Sequence, residues 1–147
     1  MDHTDNLKAR EQSAMVSQAN SIQIKPLAAF TAESLFGADI TRLLGREQLP
    51  TVGCDHVRIP QGAALAPHLH EASASFIYIL AGAALVTLDD TDYPVRPGDT
   101  IYIPPGVSHG FRTPDQEVVL LSVQSPPIYP EDGTPDITFP TRSGATL

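Results

Sequence analysis

Tryptophan is absent from this chain, and cysteine occurs once, as Cys54. A single thiol cannot form an intramolecular disulfide, which rules out a disulfide-stapled scaffold and fits a reducing compartment. Cys54 is expected to be a half-buried strand residue, since an unpaired cysteine usually behaves as a small hydrophobe. Long apolar runs are missing too. Nothing approaches the roughly 18 residues that a membrane helix requires. The opening Met1-Asp2-His3-Thr4-Asp5 has neither the basic start nor the apolar stretch of a secretory leader. A cytoplasmic location without a membrane partner is therefore expected. Basic residues are scarce: 9 Lys and Arg stand against 17 Asp and Glu, giving a formal charge of −8. Because neutralising phosphates takes clustered Lys and Arg, no nucleic-acid partner is expected.

What the chain does have is punctuation. Fourteen prolines and ten glycines recur among 147 residues and separate short apolar runs. Such spacing predicts many short strands joined by turns, within one domain. Residues 1–20 are polar and lack an apolar stripe, so a flexible or weakly helical N-terminal arm is expected there. Ser21 to Lys25 alternates like a short strand ended by Pro26. Thr31-Ala32-Glu33-Ser34 reads as a capped helix start of one turn, reaching about Gly37, and Ile40 to Leu44 as a strand. From residue 51 onward, strands are predicted at 52–59, 65–70, 75–80, 85–88, 93–95, 100–103, 108–112 and 118–124. Asp89 to Asp92 should make a hairpin turn. Pro104-Pro105-Gly106 should make a rigid turn in which Gly106 accepts a positive φ. Strands every 8–12 residues indicate an antiparallel sandwich or barrel, and closure would remove exposed edges. The chain then divides into an arm (1–20), a β-barrel (21–125) and a proline-rich tail (126–147) packed on the barrel through Ile128, Ile137 and Phe139.

Three of the five histidines stand in informative places. His68 and His70 are one residue apart on a predicted strand. Side chains alternate faces along a strand, so both imidazoles point the same way. His109 follows the Pro-Pro-Gly turn, where an antiparallel return could bring it beside the first pair. Three neutral imidazoles would hold a metal and leave coordination positions open, the layout of a catalytic site rather than a closed structural one. His3 falls in the polar arm. His56 shares a strand face with Cys54 and Arg58 and is assigned a structural or surface role.

The same residues carry a resemblance. Gly62, His68-Leu69-His70, Ser75 and Gly82 have the spacing of the first cupin motif. Gly98, Pro104-Pro105-Gly106, His109 and Thr113 have the spacing of the second. The chain is thus similar to small single-domain cupins over about residues 52–125. The resemblance implies an all-β fold, a double-stranded β-helix or jelly-roll barrel. It also implies one divalent metal ion on His68, His70 and His109. Two positions depart from the pattern. Thr113 replaces a structural asparagine, and Ser75 replaces the glutamate that usually supplies a fourth protein ligand. Glu71, the nearest other carboxylate, should face away from His70. Related three-histidine sites hold ferrous iron for dioxygenation, so Fe2+ is favoured, with Zn2+, Ni2+, Mn2+ or Cu2+ as the other choices.

Three imidazoles add no charge, so the ion keeps its full +2 and should favour an anionic bidentate substrate. The expectation is a non-haem iron dioxygenase-type enzyme acting on a small organic substrate. The alternatives are a non-redox isomerase, cyclase, decarboxylase or lyase using Lewis-acid catalysis, and a ligand-binding cupin without turnover. By phase, Ser75, Ile77 and Ile79 should face the metal cavity together with Phe111. Ser75, Tyr102 and Gln124 are the candidate catalytic groups. The opposite phase, Phe76, Tyr78 and Leu80, would leave an apolar stripe outside. That stripe is the physical reason to expect a homodimer.

Overall fold

The computed structural model describes residues 22–130 and 133–140, so the expected arm at 1–20 lies outside the described residues. The chain separates into a short unit, Met1–Thr31, and a main unit, Ala32–Leu147. In the described part of the short unit, residues 22–26 form no strand, contrary to the alternation at 21–25. Alternation alone does not make a strand, because the backbone groups also need a ladder to pair with. A 3-10 turn follows at Leu27–Ala29. Beside it the Lys25 ammonium lies 4.0 Å from the Phe30 ring centroid.

The main unit begins with a second correction. The expected helical turn at 31–37 is a β-hairpin instead. Strand β1 (Glu33–Leu35) pairs with β2 (Ala38–Leu44), and Phe36 and Gly37 form the turn with φ of 56° and 85°. Positive φ at both central residues is the twist-matched hairpin geometry, and it overrides the weak capping signal of Thr31. The remaining strands are β3 (Gly53–Ile59), β4 (Ala64–His68), β5 (Ala74–Gly82), β6 (Ala84–Leu88), β7 (Thr91–Val95), β8 (Thr100–Ile103), β9 (His109–Arg112) and β10 (Val118–Ser125). These follow the strand positions read from sequence from residue 51 onward. The expected turn at 89–92 narrows to Asp89 and Asp90, with φ of 44° and 68°.

All pairings are antiparallel and fall into two sheets. The larger runs β1-β2-β3-β10-β5-β8, and the smaller β4-β9-β6-β7. Among the described residues the two sheets share no ladder, so the expected jelly roll stands, without the closure of its edges. Inward residues of both sheets form the core, including Val57, Ile59, Ile79, Val86, Ile103, Phe111, Val118 and Leu120. The apolar positions on every second residue of β3, β5 and β8 bury one face of each strand. The opposite phase of β5 remains exposed: Phe76, Tyr78 and Leu80 keep 47%, 41% and 43% of their surface.

The proline-rich tail packs on the main unit. Thr138 bridges Leu69 just past the end of β4, with backbone bonds of 2.9 Å in both directions. It thereby continues the smaller sheet beyond an edge strand. Ile128 is buried. Phe139 sits 5.5 Å from the Phe36 ring and 5.9 Å from the His68 ring.

Candidate metal centre

The site is built where β4 and β9 run side by side. His68 and His109 are direct register partners across that pair, and His70 follows two residues beyond His68 on the same face. Two glycines allow the approach. A Cβ on Gly110 would stand 2.7 Å from the Leu65 carbonyl oxygen and 2.9 Å from the Pro67 nitrogen. Only a residue without a side chain lets β9 lie against the irregular stretch of β4. Gly106 adopts the predicted positive φ of 82° and donates its N–H to the His70 carbonyl at 2.7 Å.

The three rings form a compact triangle, with centroids 4.4 Å (His68–His109), 4.9 Å (His70–His109) and 5.1 Å (His68–His70) apart. One ring nitrogen of each lies within 4.8 Å of those of the others. Each Nδ1 faces a backbone carbonyl: Ala66 for His68 at 2.8 Å, Asp136 for His70 at 2.6 Å, and Val107 for His109 at 2.9 Å. A carbonyl only accepts, so each Nδ1 must carry the proton and donate. That fixes the tautomer and leaves an Nε2 lone pair on each ring, the arrangement typical of metal-ligating histidines.

The electrostatics agree. Burial holds His109 down to about 4, with the neighbouring His68 adding to the effect. Burial also lowers His68 and His70. All three rings are therefore neutral ligands near neutral pH. Ser75 supplies a further sign. It is buried, and its hydroxyl is the one buried side-chain polar atom among the described residues without a hydrogen-bond partner. An orphaned hydroxyl on the cavity that the three rings also line calls for a polar guest. A divalent metal with its remaining ligands meets that need, so the donor set fits the implied ion.

The centre opens into a cavity of about 70 Å³. At roughly 10–15 Å³ per water, that space holds a handful of waters or one small organic group. The walls include Val57, Leu65, Ile77, Phe111, Leu120 and Ile137. Ser75, Ile77, Phe111 and Gln124 from the sequence reading lie on this cavity. Two do not. Ile79 is fully buried in the core but off the cavity, because it sits one row further along the sheet, opposite Leu120. Tyr102 is corrected outright: it is 66% exposed, on the outer phase of β8, while Ile101 and Ile103 point in. Glu71 is exposed, and His56 lies half-buried on the outer phase of β3.

Sequence reasoning missed two acids. Asp55 lines the cavity and is only 5% exposed. Placing Cys54, His56 and Arg58 on one face of β3 already put Asp55 on the inner face with Val57 and Ile59. A charge in that phase was the available signal. Asp136 serves the site from the tail. Its carbonyl takes the His70 Nδ1–H. Its carboxylate accepts the amides of Glu71, Ala72 and Ser73 at 2.8, 3.0 and 3.0 Å. No local pattern announces a contact across 66 residues.

The cupin-domain family model matches residues 55–124. That stretch is a cupin domain. Among curated proteins, it is similar to the uncharacterized protein MJ1618 of Methanocaldococcus jannaschii, 37% identical over 75 residues, 50% of this chain and 60% of that one. It is also similar to protein SchB of Streptomyces halstedii, 43% identical over 61 residues, 41% of this chain and 44% of that one. The matches thus span about half the length of these relatives. Among solved structures, the cupin fold is shared with the polyketide cyclase RemF from Streptomyces resistomycificus. The TM-score is 0.70 at 22% identity, over 84% of this chain and 89% of that one.

Proposed function

We propose that this cupin is a metal-dependent enzyme that uses one divalent ion as a Lewis acid on a small, largely apolar organic substrate bearing oxygen donors. The carrying observation is the set of three Nε2 lone pairs, each fixed by an Nδ1–carbonyl bond, facing a cavity with room left over. His68, His70 and His109 would hold the ion. When bound, it supplies electrophilic polarisation of a carbonyl or carboxylate oxygen. The protein's own residues do the rest. The backbone carbonyls keep the rings oriented, Ile77, Phe111, Val57 and Leu120 exclude water around the substrate, and the Ser75 hydroxyl offers a hydrogen bond to a polar guest beside the rings. Isomerisation, cyclisation, decarboxylation and elimination all belong to this class.

A second reading, a ferrous dioxygenase, draws on Ser75. With no carboxylate in the glutamate position, three imidazoles leave positions for substrate and oxygen together. One experiment separates the two. Untagged protein is assayed for metal by elemental analysis, and then incubated with acetylacetone while oxygen uptake and exchange of the α-hydrogens with deuterated solvent are followed. Exchange faster than with metal-free protein, without oxygen uptake, supports Lewis-acid chemistry. Oxygen uptake on an iron-containing sample supports the dioxygenase. Failure to bind any divalent metal on reconstitution removes both and leaves a ligand-binding cupin. The homodimer belongs to the same proposal, with the outer stripe of Phe76, Tyr78 and Leu80 as its support; sedimentation of the full chain as a monomer would refute it.

A further inference from the structure

The wall of the cavity on the larger sheet is polar in two adjacent rows. In one row Gly53, Gln124 and Ser75 stand side by side across β3, β10 and β5. In the next stand Asp55, Ser122 and Ile77. Beyond them the row of Val57, Leu120 and Ile79 is wholly apolar. A buried carboxylate in such a place is costly unless something uses or pairs it. Asp55 is only partly paired. Gln124 Nε2 donates to Asp55 Oδ2 at 3.0 Å and also to the Ser122 hydroxyl at 2.8 Å. The other carboxylate oxygen, Oδ1, has no hydrogen-bond partner among the described residues, and Asp55 lines the cavity.

Gln124 is itself held in place. A Cβ on Gly53 would stand 2.5 Å from Gln124 Oε1, so the bare backbone of Gly53 makes the space that the amide oxygen fills. With Oε1 settled there, the amide NH2 faces Asp55. A flipped amide would set oxygen against carboxylate. Gln124, expected among the catalytic groups, is thereby a positioning residue that fixes one oxygen of Asp55 and, among the described residues, leaves the other free.

We infer that Asp55 is the proton acceptor of the site, standing on the wall opposite the three histidines, and that the substrate is an enolisable carbonyl compound bound between them. The step balances without a further reactant. The C–H bond next to the carbonyl breaks, and its electron pair is delocalised onto the carbonyl oxygen as an enolate. The proton forms a new O–H bond on Asp55 Oδ1, and its return to a different atom completes an isomerisation or ring closure. Burial pushes the Asp55 carboxyl upward, while the Gln124 bond and the charge of Arg42 oppose that shift. A carboxylate raised toward the working pH is a better general base. Tyr129, which lines the same cavity, lies under the Arg42 guanidinium at 3.5 Å. That stacking steadies the cation next to Asp55.

This inference rests on the metal-dependent reading, and its test keeps the two apart. The full-length zinc-bound protein is titrated with acetylacetone at neutral pH by calorimetry, in two buffers of different ionisation enthalpy. Acetylacetone is largely undissociated there and must lose a proton to bind as the enolate. If Asp55 takes that proton and keeps it beside the bound enolate, wild type releases less than one proton per site to the buffer, whereas Asp55→Asn releases about one. The α-deuterium exchange rate above the uncatalysed background should fall with Asp55→Asn by about 10²–10⁴-fold, with zinc content unchanged. A folded, zinc-loaded Asp55→Asn that exchanges at the wild-type rate and releases the same number of protons overturns the role of Asp55 and leaves the metal reading standing. A wild type that binds zinc but not acetylacetone overturns the substrate class. A wild type that binds no divalent metal overturns the metal reading, and this inference falls with it.

Discussion

The two walls of the cavity are built on different rules. On the β4–β9 side, each imidazole is oriented by a backbone carbonyl, and two of the three carbonyls lie two residues away in sequence. On the β3–β10 side, the polar groups orient one another, side chain to side chain, across 69 residues between Asp55 and Gln124. A group held by local backbone keeps its place whenever its strand forms. A group held by another side chain depends on the packing of two strands. The first wall suits a metal centre, which tolerates little ligand movement. The second suits a proton-handling group, whose partner must leave one oxygen free.

The comparison can be broken at several points. His109→Ala should have the largest effect, lowering metal affinity well beyond the roughly 10–100-fold expected when only an outer partner is lost. Elemental analysis with circular dichroism checks it, and an unchanged metal content in a folded variant would contradict the centre. Asp136→Ala tests the one imidazole on the first wall that is oriented from a distance. The carboxylate ties residue 136 to the amides of residues 71–73, and without it the carbonyl that orients His70 loses its anchor. Metal affinity should fall by about 10–100-fold, read by competition with a chelator. Equal affinity would mean that the tail holds His70 without that tie.

Ser75→Glu acts in the opposite direction. Ser75 lines the same cavity as the rings, so a carboxylate there should add a ligand and a charge, and metal affinity should rise by at least about tenfold, or 1.4 kcal/mol. No gain in the same competition assay would show that position 75 does not reach the ion. The smallest effect is on the stability of metal-free protein. Asp55 has a folded pKa raised by burial above its ordinary 3.8. The folded state therefore binds more protons than the unfolded state between those two values. Stability falls as pH rises through that interval and stays lower above it. Asp55→Asn should remove that fall, so melting temperatures of chelator-treated wild type and variant should diverge as pH rises from about 3.8. Parallel profiles would show that Asp55 is not desolvated.

Much of the first wall was legible because its information is local. The His-x-His phase, the Pro-Pro-Gly turn and the glycines at positions 62, 82, 98 and 106 are short patterns with direct backbone consequences. The strand positions from residue 51 onward followed from short apolar runs and the turns between them, whereas the order of the strands in the two sheets did not. The errors lie where local preference met a tertiary requirement. Thr31 to Ser34 has a capping signature, yet the Phe36–Gly37 turn makes a hairpin. Tyr102, expected among the catalytic groups, points outward, since its neighbours Ile101 and Ile103 are the residues that the core needs.

The sequence by itself determined the cupin pattern, the all-β class and the convergence of three histidines, because strand alternation and turn chemistry act over a few residues. Only the tertiary structure decided that the two sheets share no ladder among the described residues, that the tail residue Asp136 orients His70, and that Asp55 lines the same cavity as the rings. Those facts depend on which distant segments share a wall, and no short-range periodicity carries that information.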